Sequence, residues 1–340
     1  MTPAAIVLAC TSMKASARPV KRLMALLMSI TLVVIAESLP KRTHETPLRV
    51  AVELWPGSET FLMARERGML PESRFTFLEA TWSSVSYRAF DSGAVDAAVL
   101  TGGGVSGLLG SGKNLRVVCF MDESRGVDAL VAEKNVRTVT DLKGKRVGFA
   151  PHGPGSHLLS EALVAAGLKM DDVEEVSLLP PEIPGALMRG EVSAVVAAEP
   201  WIRQMVATGA HVLTDSSDLK IPGIRMLVVN ERALTEQREE LVDLIRAHFA
   251  IAPSLQTPDD VEGIGIVLRR QRISRSDFAE VMSNIRIFDR VENIAFMNEG
   301  TAAMAGILNL VDSDGRLVWN RPPEQGNEWL EKSIVNEATP

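Results

Sequence analysis

Twice in this chain a Pro-Gly-Ser triplet closes an apolar run and opens a helical one: Pro56-Gly57-Ser58 and Pro154-Gly155-Ser156. Residues of these types at a strand-to-helix turn can hold an anion. The first N–H groups of a helix have no intrahelical partner, the helix dipole adds positive potential, and glycine lets a ligand reach the backbone. Thr101-Gly102-Gly103-Gly104, after the apolar run at 95–100, offers a third turn of this kind. Taken singly, such turns suit ordinary βα connections. As a convergent set they point to a binding site with Gly57, Ser58, Thr101, Gly102, Gly155 and Ser156 as contacts. Trp55 precedes the first turn, either as a cleft wall against which a ligand packs or as a core residue. His152 and His157 flank the second turn, as donors to an anion or as solvent-facing turn residues.

The elements that position these turns repeat. Arg49-Val50 opens a strand leading to the first triplet and Arg146-Val147 opens one leading to the second; further on, the segment around Gly93 is echoed around Gly190. Both echoes keep one offset, 97 residues, so the chain is read as two α/β lobes with the same strand-turn-helix order. Each reads β-α-β-α-β, which calls for a mostly parallel sheet with right-handed crossovers and flanking helices. The helical pattern is clearest at 156–166, ended by Gly167; 235–252, 276–285 and 292–310 also carry apolar residues at helical spacing and have no echo. They are assigned to the first lobe after the chain returns to it. The expected boundaries are crossovers near Asp122–Gly126 and Lys220–Arg225. Residues 45–122 and 225–340 then form lobe one, and 126–220 lobe two. Ser124 and Arg225 lie on the crossovers, touching either ligand or only the hinge.

Composition narrows the function. The chain has 340 residues, 46% hydrophobic and 23% charged, enough for two globular lobes. Its formal charge of −7 argues against a nucleic-acid partner, which needs a concentrated basic surface. Cys10 falls in a leader and Cys119 in an apolar strand, so no internal disulfide is expected and Cys119 reads as an inert core thiol. No metal-type Cys/His spacing, Walker loop or nucleophile-base-orienter set occurs, so no metal, cofactor or catalytic residue is expected. Lys14, Arg18, Lys21 and Arg22 precede an uncharged stretch from Leu23 to Ala36, the shape of an export signal over residues 1–38. Cleavage after Ser38 and retention as an anchor both fit, and Met13 is an alternative start.

Leu142-Lys143-Gly144-Lys145-Arg146-Val147, the small-residue turn at 153–156, Gly190-Glu191-Val192 and Glu199-Pro200-Trp201 together resemble the substrate-binding proteins of nitrate, sulfonate and taurine importers. Binders of a thiamine-precursor pyrimidine belong to the same family. The resemblance runs from about Leu48 to about Ala252 and departs at Ser193, where the family usually has Asp. It implies a two-lobed type II periplasmic-binding fold with two hinge strands. It also implies an exported, periplasmic or extracytoplasmic monomer that delivers a small anionic or zwitterionic solute to an ABC permease and its ATPase. In that frame Glu199 pairs with a ligand amino group or caps the next helix, and Trp201 is packing. The alternatives are an enzyme on the same fold, like a pyrimidine synthase or enzymes of menaquinone synthesis, and a sensory binding module.

Overall fold

The computed structural model describes residues 46–299 and 330–339, apart from 152, 200, 219–222 and 258. The leader, His152, Lys220 and the helical run expected past 299 lie outside them. Eleven strands form two sheets among the described residues. They are β1 (Leu48–Glu53), β2 (Phe75–Ala80), β3 (Ala97–Thr101), β4 (Arg116–Ser124), β5 (Asp128–Ala132), β6 (Arg146–Phe149), β7 (Glu174–Ser177), β8 (Ala194–Ala198), β9 (His211–Asp215), β10 (Gly223–Val229) and β11 (Ile285–Ile287). A six-stranded sheet has the order β11-β4-β10-β3-β1-β2, and a five-stranded sheet the order β7-β6-β8-β5-β9. Each sheet with its helices forms one lobe of a mixed α/β fold.

The parallel order expected from the repeat holds for β2-β1-β3 in the larger sheet and β7-β6-β8 in the smaller. The sheets are nonetheless mixed rather than mostly parallel. β10 pairs antiparallel with β3 and β4, β11 with β4, and β5 with β8 and β9. The reason is the crossing itself. β5 and β10 enter their sheets from the interlobe side, so they run against strands whose carboxyl ends reach that side. Sequence periodicity within a lobe carries no trace of that reversal.

Helices cover the faces. α1 (Glu59–Glu66), α2 (Ser83–Asp91) and α3 (Gly102–Gly110) follow β1, β2 and β3. α4 (Pro154–Ala165), α5 (Ile183–Met188) and α6 (Trp201–Ala207) belong to the smaller lobe. α7 (Glu231–Glu236), α8 (Arg238–Gln256), α9 (Val261–Gln271), α10 (Arg275–Met282) and α11 (Arg290–Glu299) follow the return through β10. Because both faces of the larger sheet are covered, β3 (AAVLT) is buried at every position, the pattern of a sandwiched strand. Phe61, Phe120 and Phe288 are fully buried in that core. Cys119 lies there too, and burial pushes its thiol up, away from the reactive thiolate.

The repeat is visible in backbone detail. Gly93 (φ 75°) and Gly190 (φ 71°) both end a helix in the left-handed conformation that suits glycine. The Asp96 N–H bonds Arg49 O at 2.8 Å, and its echo, the Ser193 N–H, bonds Arg146 O at 2.9 Å. Side chains differ at that point. Asp96, fully buried, takes Arg49 Nε at 2.8 Å and also the Arg232 guanidinium. Those bonds outweigh burial and hold its carboxyl at about 2. With Ser193 in the second lobe, Arg146 turns to Glu174 at 3.1 Å and to the carbonyl of Glu191 at 2.6 Å. The departure at Ser193 is thus a local rearrangement of a strand start, and Ser193 is not among the residues around the cavity described next.

Candidate functional site

The carboxyl ends of β1, β2, β6 and β8 converge on one cavity of about 240 Å³ between the lobes. This is where open α/β sheets place ligands. The larger lobe contributes Trp55 after β1, Trp82 with Ser83 and Ser84 after β2, and Arg225 from β10. The smaller lobe contributes Asp128 from the start of β5, Gly153 and Gly155 after β6, and Glu199 and Trp201 after β8. Ile183, Ile273 and Val281 add apolar surface.

Three tryptophans, in a chain with 5% aromatic residues, shape the walls. Trp82 and Trp201 come from opposite lobes, and their rings meet at 5.7 Å between centroids, tilted by 45°. Trp55 lies flat under Arg225, whose guanidinium carbon stands 3.7 Å from the ring centroid. That stack fixes the indole and keeps a cation against its negative face.

The floor is a buried charge cluster. Arg225, only 4% exposed, donates from Nε to Glu53 Oε1 at 2.5 Å and from Nη1 to Asp122 Oδ1 at 3.4 Å. Trp55 Nε1 donates to the same Asp122 oxygen at 3.2 Å, and Ser83 Oγ donates to Glu53 Oε2. Burial works against every charge here. It pushes Asp122 and Asp128 each up to about 6, although Arg225 pulls both down. Arg225 itself is opposed by burial, yet Glu53, Asp122 and Asp128 hold it charged, above its ordinary value. One guanidinium therefore faces three carboxyl groups.

Two helix N-termini border the cavity. α2 opens at Ser83 after Trp82 and α4 at Pro154 after Gly153, and neither has a side-chain cap. Their first-turn donors at Ser83, Ser84 and Gly155 are available to a polar group in the cavity.

Of the residues singled out from sequence, Trp55, Gly155, Glu199 and Arg225 are brought together around the cavity. Trp201, expected as packing, lines it too. His152 lies outside the described residues, and the other candidate contacts are placed elsewhere. Gly57 packs against the floor from outside: a Cβ there would collide with Asp122 and stand 2.9 Å from Trp55 Nε1. Ser58 is fully buried, and its hydroxyl has no hydrogen-bond partner among the described residues. Thr101 caps its own helix, its Oγ1 accepting from Gly104 N at 3.2 Å, and Gly102 is buried at the start of α3. That helix start meets the second turn directly, because a Cβ on Gly103 would lie 3.9 Å from Gly153 O and from Ser156 Oγ. Ser156 Oγ donates back to Gly153 O at 3.1 Å, and His157 Nε2 lies 3.4 Å from Glu161 one turn along α4. Ser124 Oγ reaches Gly223 O at 3.4 Å, joining the two crossover strands. Glu199 accepts from the Arg203 side chain at 3.2 Å as well as lining the cavity.

Sequence reasoning passed over Trp82, Ser83, Ser84, Glu53, Asp122 and Asp128. The first three were findable. They follow the strand at 75–80 as the Pro-Gly-Ser turns follow theirs, only without a glycine to mark them. Among the described residues no group of His, Cys, Asp and Glu is arranged to hold a metal ion.

A family model described as the NMT1-like family matches residues 41–262. A putative aliphatic sulfonates-binding protein of Escherichia coli K12 is 27% identical over 260 residues, 74% of this chain and 78% of that protein. The taurine-binding periplasmic protein of the same organism is 32% identical over 154 residues, 42% of this chain and 48% of its own length. The crystal structure of the periplasmic aliphatic sulphonate-binding protein from Escherichia coli superposes with a TM-score of 0.58 at 20% identity, covering 80% of this chain and 97% of that one. At that identity the likeness shows the fold, that of a periplasmic binding protein.

Proposed function

We propose, from the premise that the chain belongs to the NMT1-like family, that it is the extracytoplasmic solute-binding component of an ABC importer. It captures a small anionic or zwitterionic solute between its lobes and delivers it to a membrane permease. The observation that carries this reading is the interlobe cavity, walled by Trp55, Trp82 and Trp201 and bordered by the uncapped starts of α2 and α4. Sulfonate- and taurine-binding relatives support the same class of solute. In this reading residues 45–122 and 225–340 act as one lobe and 126–220 as the other, closing about the two crossovers, and the chain is exported before it works.

The size of the cavity bears on the solute. At about 240 Å³ it falls just below the roughly 300–1,000 Å³ usual for ligand sites, so the solute has few heavy atoms. The apolar walls lower the local dielectric, which strengthens polar contacts inside. Helix N-termini hold the anionic end without requiring a free basic side chain, so an acidic protein can bind an anion. No bond is made or broken; the free energy of capture is used in closure and docking.

A thermal-shift screen of the ligand-free protein against nitrate, alkanesulfonates, amino sulfonates and aminopyrimidines tests the reading. A solute at 100 times its Kd adds about 2.7 kcal/mol to stability. A shift of that size for one class supports the proposal, and no shift for any class contradicts it.

A further inference from the structure

We infer that the captured solute carries a protonated nitrogen and that Asp128 is the group that accepts it. The inference rests on the solute-binding reading and narrows its ligand class to compact amines bearing an anionic group. It starts from how the four carboxyl groups of the site are used. Glu53 is taken by Arg225 and Ser83, and Asp122 by Trp55 and Arg225. Glu199 is held by Arg203. Asp122 keeps Oδ2 without a hydrogen-bond partner among the described residues, but it does not line the cavity. Asp128 differs from all three. It is 8% exposed and lines the cavity, yet no hydrogen bond reaches its carboxyl group among the described residues.

Its placement is nonetheless fixed. Ser216 Oγ accepts from Asp128 N at 3.3 Å, and Ser216 N donates to Asp128 O at 2.8 Å, so the backbone at the start of β5 is clamped from β9's end. A buried acceptor held rigidly without a donor is unfavourable by itself. The arrangement becomes favourable once a donor arrives in the cavity. Arg225 does not serve, because its bonds go to Glu53 and Asp122. A simple alkanesulfonate or nitrate does not serve either, because it has no donor and brings a further negative charge toward Glu53, Asp122 and Asp128. An ammonium or amidinium group does. Charge complementarity then orients the solute, with its nitrogen at Asp128 and its anionic end toward the starts of α2 and α4.

The test is titration calorimetry on the full chain with matched pairs differing only in the amine: taurine against ethanesulfonate, and β-alanine against propionate. A charge-assisted hydrogen bond predicts that the amine-bearing member of a pair binds roughly ten- to a hundredfold more tightly. Asp128→Asn should abolish that preference by weakening the amine-bearing member toward its amine-free analogue. A second measurement on the unaltered protein stands if the variant fails to fold. At pH 6, titrations in two buffers of different ionisation enthalpy should show a proton released on binding the amine and none on binding its analogue. Asp128 titrates there under the influence of Glu53, Asp122 and Arg225, and of these Asp122 is already enclosed and bonded. Equal affinities within every pair, or a preference that survives Asp128→Asn, overturns the inference while leaving solute binding intact. A nitrogen-free solute as the tightest ligand does the same. No binding by any member, together with a blank thermal screen, overturns both.

Discussion

Replacing Arg225 with methionine removes the cation from the floor of the cavity at similar volume, and its consequence should depend on pH with a definite sign. Arg225 is 4% exposed and bonded to Glu53 and Asp122, with Asp128 within its field. Breaking a buried ion pair by deleting one partner costs about 3–5 kcal/mol, because the remaining charge is left uncompensated. The lost stack on Trp55 adds about 1–2 kcal/mol. The first of these falls on carboxylates and disappears when they take up protons. Asp122 and Asp128 have folded pKa values of about 6, above the ordinary 3.8, so they contribute stability in full below 3.8 and lose it as pH rises through about 6. Without Arg225 both rise further. Urea unfolding of the ligand-free protein, followed by circular dichroism, should therefore show a deficit of roughly 4–7 kcal/mol at pH 7.5 that shrinks to roughly 1–2 kcal/mol at pH 5. A deficit of the same size at both pH values would refute the charge-cluster reasoning, and so would one below about 1 kcal/mol at pH 7.5.

Gly57→Ala should be destabilising by about 1–3 kcal/mol and should alter Trp55 fluorescence, because its Cβ would collide with Asp122 beside Trp55 Nε1; an unchanged melting temperature and spectrum would count against this packing. Asp96 behaves oppositely to Asp122. Its pKa, lowered to about 2 by Arg49 and Arg232, gives stability present above 3.8 and lost as pH falls through about 2. Asp96→Asn should then cost roughly 1–2 kcal/mol at pH 7, discounted for the half-exposed arginines, and flatten the acid limb of the urea midpoint between pH 4 and pH 2.

The repeat was legible because it lives in local chemistry. Strand ends, glycines in the left-handed conformation and helix starts recur at fixed spacing, and Gly93 and Gly190 keep both their position and their φ. The strand reversals of β5 and β10 were not legible, since direction is set by where the chain crosses between lobes and not by which residues it uses. The same holds for the site. Trp55 and Gly155 stand at turns that announce themselves, and Arg225 on a crossover marked by Ile221-Pro222-Gly223. Asp128 is one acid at the start of an apolar run, and only the crossing of two lobes turns it toward a cavity. Ser156 and Thr101 have the right type and position for ligand contact, but each is bonded within its own turn. Residue type sets what a turn can do; whether it does so depends on what the neighbouring strand brings.

The central claim is that a solute is captured in the interlobe cavity, where Trp82 and Trp201, one from each lobe, meet in the wall. Titration calorimetry with the solute identified by the thermal screen, on the unaltered protein and on a folded Trp82→Ala/Trp201→Ala variant, tests it most directly. The account predicts one solute per chain for the former and at least a tenfold loss of affinity, about 1.4 kcal/mol, for the latter. Wild-type affinity in the double variant would place the solute outside the cleft and contradict the account.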